Sequence, residues 1–208
     1  MIEIGFKKIE LEDKDLITHY FKHHTSRSCE RTFVNVYLWA RFYHVKFAEV
    51  EHTLVFRTED EDGFSFAYPA GEPENVKKAL DVLMVYSKER GVPFLMYTVT
   101  PDNFEYLEKW YPGRFEIEYV EGDADYVYES EKLATLSGKK LHSKRNHVNK
   151  FKIVYADRWS YEPISEDNLE ECVQTGLKWR NENGCEEDEE KNAELCVTLN
   201  SLRLFKEL

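Results

Sequence analysis

VKFAEVEHTLVFRTEDEDGFSFAY, Val45 to Tyr68, is the stretch whose reading decides the fold. Val45 to Val50 and Thr53 to Thr58 are rich in β-branched and aromatic residues, and only Glu51-His52 separates them. That spacing predicts two strands joined by a tight turn. Asp60-Glu61-Asp62-Gly63 is a second turn signal, and Phe64 to Tyr68 reads as a third strand. Strands joined this closely form an antiparallel meander, because a parallel return needs a long crossover.

Downstream the period changes to that of a helix. Pro73 stands near its start, Val76, Leu80, Leu83, Met84 and Ser87 recur along it, and Gly91 is a stop. Pro93 to Val99, PFLMYTV, is apolar without alternation, as expected for a strand covered on both faces. Phe64 to Val99 is therefore expected to be a right-handed parallel crossover. Thr100-Pro101 opens another helix, with Phe104 and Leu107 inward and Pro112-Gly113 at its end. Arg114 to Val120 and Ala124 to Glu129 read as two further strands around Glu121-Gly122-Asp123.

Upstream, Phe6 to Ile9 reads as a short strand and Leu11 to Lys22 as a helix with Leu16, Ile17, Tyr20 and Phe21 on its apolar face. The polar run from His23 to Ser28 breaks it. Thr32 then caps a second helix, expected to reach Arg41. The class is α/β with a mixed sheet. This order of elements resembles the GNAT fold, that of a large N-acetyltransferase superfamily.

The chain has 208 residues, 42% hydrophobic and 14% aromatic, enough for one or two folded domains. Its formal net charge of -12 argues against wholesale coating of nucleic acid, yet leaves room for a local basic site. No 18-residue apolar run is present, so no transmembrane segment is expected. The N-terminus, MIEIGFKKIELEDKD, carries acids where a signal peptide needs an apolar core. Cys29, Cys172, Cys185 and Cys196 form no CxxC pair. Reduced thiols, a cytoplasmic location and no metal site, even with His23 and His24 nearby, are the expectation.

Against that acidic average stands GKKLHSKRNHVNKF, Gly138 to Phe151. It carries Lys139, Lys140, Lys144, Arg145 and Lys150, with His142 and His147, and no acid. Read as a helix opened by Gly138, it places Leu141, Val148 and Phe151 on one narrow stripe, with cations around much of the rest. Three readings fit: a solvated helix linking two domains, a site for a polyanion or nucleotide, and a surface for a partner protein.

Beyond it, Ile153 to Tyr155 or Trp159 to Pro163 is expected to form a strand. Ser165 caps a helix carrying Leu169, Val173 and Leu177, which ends at Asn183-Gly184. Glu186 to Glu190 is an acidic run, and Leu195, Leu199, Leu202 and Phe205 mark a last helix. Strand, helix, helix is also how the chain begins, so this tail reads as the opening of a second copy of the fold. The apolar stripes of its helices lack a sheet to cover. That predicts a chain incomplete for catalysis, in which Leu195, Leu199, Leu202 and Phe205 either pack back on the first fold or stay exposed and favour self-association through the C-terminal helices.

TFVNVYLWARFY, Thr32 to Tyr43, and DADYVYESEKLATLSGKKLHSKRNHVNKF, Asp123 to Phe151, resemble a poorly characterised bacterial family. That family is similar to the C-terminal domain of phosphatidylglycerol lysyltransferase. Asp125, Tyr126, Tyr128, Leu133, Leu136, Lys140, Lys144, Arg145, Asn146, Asn149 and Phe151 carry the likeness. The resemblance implies tandem GNAT-like folds: a first domain over 1–137, a basic linker helix over 138–152, and the opening of a second domain over 153–208. It implies an acyl- or aminoacyltransferase. Such relatives move an aminoacyl group from charged tRNA to a lipid, and the related Fem transferases act on a cell-wall precursor. Family members run on through a complete second fold, where this chain ends after the first helices of its own.

The residues bear on that chemistry unevenly. A GNAT enzyme that uses acetyl-CoA holds its pyrophosphate on backbone N–H groups of a Gly-rich turn at a helix N-terminus. The equivalent turn, Tyr68 to Glu74, loses donors at Pro69 and Pro73 and carries Glu72 and Glu74, so no acetyl-CoA cofactor is expected in the first domain. A tRNA or other phosphate-rich ligand needs a basic track, for which Lys139, Lys140, Lys144, Arg145 and Lys150, flanked by Asn146 and Asn149, are the candidates. Asp125 and His147 are the candidates for proton transfer. The rival to the transferase is a non-catalytic domain of the same fold that binds an anionic ligand or a partner protein.

Overall fold

A computed structural model of the chain describes residues 1–22, 26, 28–61, 63–124, 126–184 and 188–208. The elements in chain order are α1 (Lys14–Lys22), α2 (Phe33–Trp39), β1 (Val45–Val50), β2 (Thr53–Asp60), β3 (Gly63–Ala67), α3 (Pro73–Arg90), β4 (Met96–Tyr97), α4 (Pro101–Trp110), α5 (Ser130–Thr135), α6 (His142–Val154), α7 (Leu169–Asn183) and α8 (Glu189–Arg203). Single turns of 3-10 helix at Leu11–Asp13, Cys29–Arg31, Glu121–Asp123 and Lys139–Leu141 join them. Two compact units divide the chain, one of Met1–Ile117 with Glu171–Leu208, the other of Glu118–Glu170.

The first unit holds a four-stranded mixed sheet in the order β1-β2-β3-β4. β1 and β2 pair antiparallel from Val45↔Thr58 to Val50↔Thr53. Glu51 and His52 turn the hairpin with φ of 50° and 58°, the left-handed pair that a two-residue loop requires. β2 and β3 pair antiparallel from Arg57↔Phe66 to Asp60↔Gly63, and β3 and β4 pair parallel at Phe66↔Met96 and Ala67↔Tyr97. At Gly63, φ is 143° and an added Cβ would lie 2.9 Å from Val92 Cγ1, so both backbone and packing select glycine there.

Alternation along the strands sends side chains to two faces. Phe47, Leu54, Phe56 and Ala67 join Ile17 and Phe21 of α1 and Phe33 of α2 on one face. Ala48, Val50, Val55 and Phe66 join Ala79, Leu83 and Tyr86 of α3 on the other. Val76 and Leu80 of α3 meet Leu107 of α4 in a third cluster. The helices start and stop where local chemistry says. Thr32 and Thr100 accept the N–H of Asn35 and Asn103 through their hydroxyls. Gly91 ends α3 at φ 70°. Asp13 is buried because it accepts both Lys7 Nζ at 2.7 Å and the Glu10 N–H at 3.0 Å.

Several expectations need correction. The strand at Phe6 to Ile9 is a single antiparallel bridge of Lys7 with Phe47. α2 stops at Trp39, short of Arg41. The apolar run from Pro93 to Val99 pairs over Met96–Tyr97 only. It lies at the sheet edge with Leu95 exposed, and Thr98 turns out of extended geometry at φ 54°. The described residues of 114–129 form no strand. Their alternation is that of a strand, yet no neighbouring backbone pairs with them. Residues 153–155 end or follow α6, and 159–163 are irregular, so neither forms a strand.

Of the stripe Leu195, Leu199, Leu202 and Phe205, the three leucines are buried and Phe205 is half-buried, and α8 packs on α2, so the stripe takes the first of its two expected fates. Gly176 of α7 faces Leu195 and Leu199 closely enough that an added Cβ would just touch them. Lys14 Nζ donates to the Glu207 carbonyl, and Leu208 packs on the cluster of α1 and α2. The second unit contains α5 and α6, and none of its described side chains is buried. Among the described residues, no helix is long and apolar enough to cross a membrane.

Candidate functional site

Leu136, at the end of α5, has φ 50°, and Gly138 has φ 90°. This pair of left-handed residues turns the chain between α5 and the Lys139–Leu141 turn that feeds α6. Arg145 holds that turn. Its Nη1 donates to the Leu136 carbonyl and, at 3.1 Å, to the Gly138 carbonyl. Arg145 therefore serves first as a C-terminal clamp on α5, because its planar fork can satisfy several orphan carbonyls at once.

The second guanidinium nitrogen of Arg145 faces His142 Nδ1 at 3.5 Å, and His142 Nε2 lies 3.3 Å from the Asn146 amide. Both partner atoms, the Arg145 guanidinium nitrogen and the Asn146 Nδ2, are donors, so a neutral His142 accepts from one of them at a time. Arg145, His142 and Asn146 thus form one local chain that shapes the start of α6.

Lys139, Lys140, Lys144 and Lys150 are exposed, and no ion pair involves them among the described residues. Lys152, beyond the tract singled out by sequence, is in the same condition. The first turn of α6 contains no acid, and the N-cap, Leu141, offers no side-chain acceptor. Cations here oppose the helix dipole, whose N-terminal end favours negative charge. The start of α6 thus breaks a local rule that an anion would restore.

Asn149 and His147 are exposed, with no partner among the described residues. No second group orients His147, and a general base is usually positioned by one. Asp125 lies outside the described residues, as do His23, His24 and Cys185, and no catalytic pair with His147 is assembled among the described ones. Among the described residues, no group of three His, Cys, Asp or Glu side chains is placed to hold a metal.

Two features were not legible as function. Phe151 and Tyr155 lie 4.9 Å apart between ring centroids, and Phe151 and Trp159 lie 5.6 Å apart. The i, i+4 spacing of the first two was the only signal. The second feature is an open groove of about 930 Å³ in the first unit, between the N-terminus of α3 and α4. It is lined by Glu72, Glu74, Lys77, Lys78, Tyr106 and Trp110 among others, and its charges are mixed.

In the turn leading into α3 several backbone groups are already bonded, though the N–H groups of Gly71, Glu72 and Glu74 are not among them. Ala70 exchanges both backbone bonds with Leu54, the Tyr68 N–H donates to the Tyr97 carbonyl, and the Asn75 and Val76 N–H groups donate to the Glu72 carbonyl. The Tyr68 carbonyl accepts Arg31 Nη2 at 2.9 Å. An added Cβ on Gly71 would lie 2.9 Å from Thr53 Cγ2, so this glycine serves packing.

The sequence model of the family described as "Phosphatidylglycerol lysyltransferase, C-terminal" matches residues 21–208. An uncharacterized protein of Mycoplasmoides gallisepticum is 31% identical over 90 residues, which is 43% of this chain and 29% of that protein. The chain thus spans less than a third of this curated relative. The crystal structure of a conserved protein of unknown function from Bacteroides thetaiotaomicron superposes with a TM-score of 0.88 at 32% identity. That superposition covers 99% of this chain and 69% of the other.

Proposed function

The chain belongs to the phosphatidylglycerol lysyltransferase C-terminal family, and from that premise we propose that it serves an acyl- or aminoacyltransferase whose basic segment holds a phosphate-rich donor such as tRNA. The observation that carries the proposal is the set of exposed, unpaired cations at the start of α6 and along it, where the helix dipole adds to their field. We read the first domain as GNAT-like, on the strength of the antiparallel meander followed by a helical crossover into a parallel strand. The tandem arrangement over 1–137, 138–152 and 153–208 belongs to the same proposal. Pro69 and Pro73, which lack an N–H, and the acids Glu72 and Glu74 in the turn before α3 favour a donor other than acetyl-CoA. A cytoplasmic location fits a ligand of this kind.

A second reading is a non-catalytic domain that binds the same ligand. It is favoured by the absence of an orienting partner for His147 among the described residues. Consumption of charged tRNA or of an acyl-CoA donor by the protein separates the two readings. Binding itself is tested by anisotropy of a labelled RNA over a salt series. Log affinity should fall linearly with log salt, and Lys144→Ala or Lys150→Ala should each flatten the slope by about 0.7–0.9. Affinity indifferent to salt would remove the proposal. Arg145→Ala is the wrong test, since it also opens the clamp on α5.

A further inference from the structure

The second unit leaves unusual side chains in the open. Phe151 is 44% exposed, Tyr155 46% and Trp159 48%. They form one contiguous ridge, and the guanidinium of Arg158 lies 5.3 Å from the Tyr155 ring centroid. At 3.6 residues per turn, Lys144, Val148, Phe151 and Tyr155 share one side of α6, so a cation and two rings lie along the same line. We infer that this ridge stacks the unpaired bases of a single-stranded nucleic acid, while the lysines beside it meet the phosphates. The inference rests on the polyanion reading above and specifies its ligand.

Other occupants fit the residues less well. A helix that lies in a membrane interface needs its apolar residues on one side and its charges on the other. On α6, Leu141, Val148, Phe151 and Tyr155 share a side, but Lys144 stands in the middle of it and Ile153 stands opposite among polar residues, so the apolar side is interrupted by charge. A duplex presents phosphates and hides its base faces, and half-exposed rings would gain nothing from it. Inorganic phosphate would likewise leave the rings unused. Bases freed from a helix have two apolar faces each and travel with a phosphate, and aromatic rings interleaved with cations match that combination.

The test uses the full chain and three probes: a labelled oligouridylate of about 10 nucleotides, its duplex with oligoadenylate, and inorganic polyphosphate. The single strand should bind more tightly than the duplex. Tyr155→Ala and Trp159→Ala should each weaken single-strand binding roughly 5- to 100-fold and leave polyphosphate binding unchanged, while Tyr155→Phe and Trp159→Phe retain it. Equal affinity for strand and duplex, or alanine variants that bind the strand as before, overturns the stacking and leaves the polyanion reading in place. Failure of all three probes overturns both. Alanine variants that abolish a concentration-dependent dimer, or binding to anionic vesicles, would assign the ridge to copies of the chain or to lipid and overturn the inference.

Discussion

Arg57 on β2 and Lys144 on α6 are both cations near aromatic rings, and they live in opposite circumstances. Arg57 is buried between Phe6, at 4.3 Å from the ring centroid, and Phe64, at 5.5 Å, and it bonds to the Tyr86 hydroxyl and the Glu59 carboxylate. Its charge is spent inside the fold. Lys144 shares a helix side with Phe151 and Tyr155, is exposed, and has no counter-ion among the described residues. The first unit uses cation and ring to stabilise itself, and the second leaves the same residue types available to something else. A charge that is already neutralised and desolvated cannot also recruit a ligand.

The largest effect that would sharpen this contrast comes from matched phenylalanines. Phe66 is fully buried against Phe94 and Tyr86, so Phe66→Ala should cost about 3–5 kcal/mol in urea unfolding. Phe151→Ala should stay within about 0.5 kcal/mol, because it leaves no cavity. Similar losses for both would show a core in the second unit and break the comparison.

A smaller effect is expected at Arg31. It is buried, and besides the Tyr68 carbonyl it donates to Thr98 Oγ1 at 3.3 Å, just past the paired residues of β3 and β4. Arg31→Met should cost about 1–3 kcal/mol by leaving a buried carbonyl without its donor. Unchanged stability would mean that water or backbone replaces it, and that Arg31, like Lys144, is not needed by the fold.

The smallest effect depends on pH. The hydrogen bond from Lys46, first, and the Arg57 charge hold the Glu59 carboxyl below its ordinary value, against some desolvation. A depressed carboxylate contributes stability above its unfolded pKa of about 4.3, and that contribution is lost as pH falls through the lower folded value. Glu59 is partly exposed, so only a few tenths of a kcal/mol, about 0.2–0.5, should be at stake. Lys46→Met should lower stability by about that amount near neutrality and flatten the fall below about pH 4.3, so that the two profiles converge in acid. A profile identical to that of the native chain would place the pair with the exposed, uncommitted charges.

The hairpin of β1 and β2, the caps at Thr32, Thr100 and Gly91, and the span of α3 were legible in the chain because each depends on a few adjacent residues. The acid-free tract was legible for the same reason: charge is counted along the sequence. Only the tertiary structure decided which promises were kept. Pro93 to Val99 and Arg114 to Glu129 have strand-like composition, but a strand exists only where another backbone meets it, and that partner is remote in sequence. The leucines of α8 had no partner in the sequence until α8 was seen packed on α2, with Gly176 of α7 facing Leu195 and Leu199. Arg145 counted as one more cation until its fork was found on the Leu136 and Gly138 carbonyls. Phe151, Tyr155 and Trp159 became a ridge only when helix geometry and a following turn brought three rings together. Residue type sets what a side chain is able to do, and the neighbours folded against it settle whether that capacity is consumed within the protein or left open to a ligand.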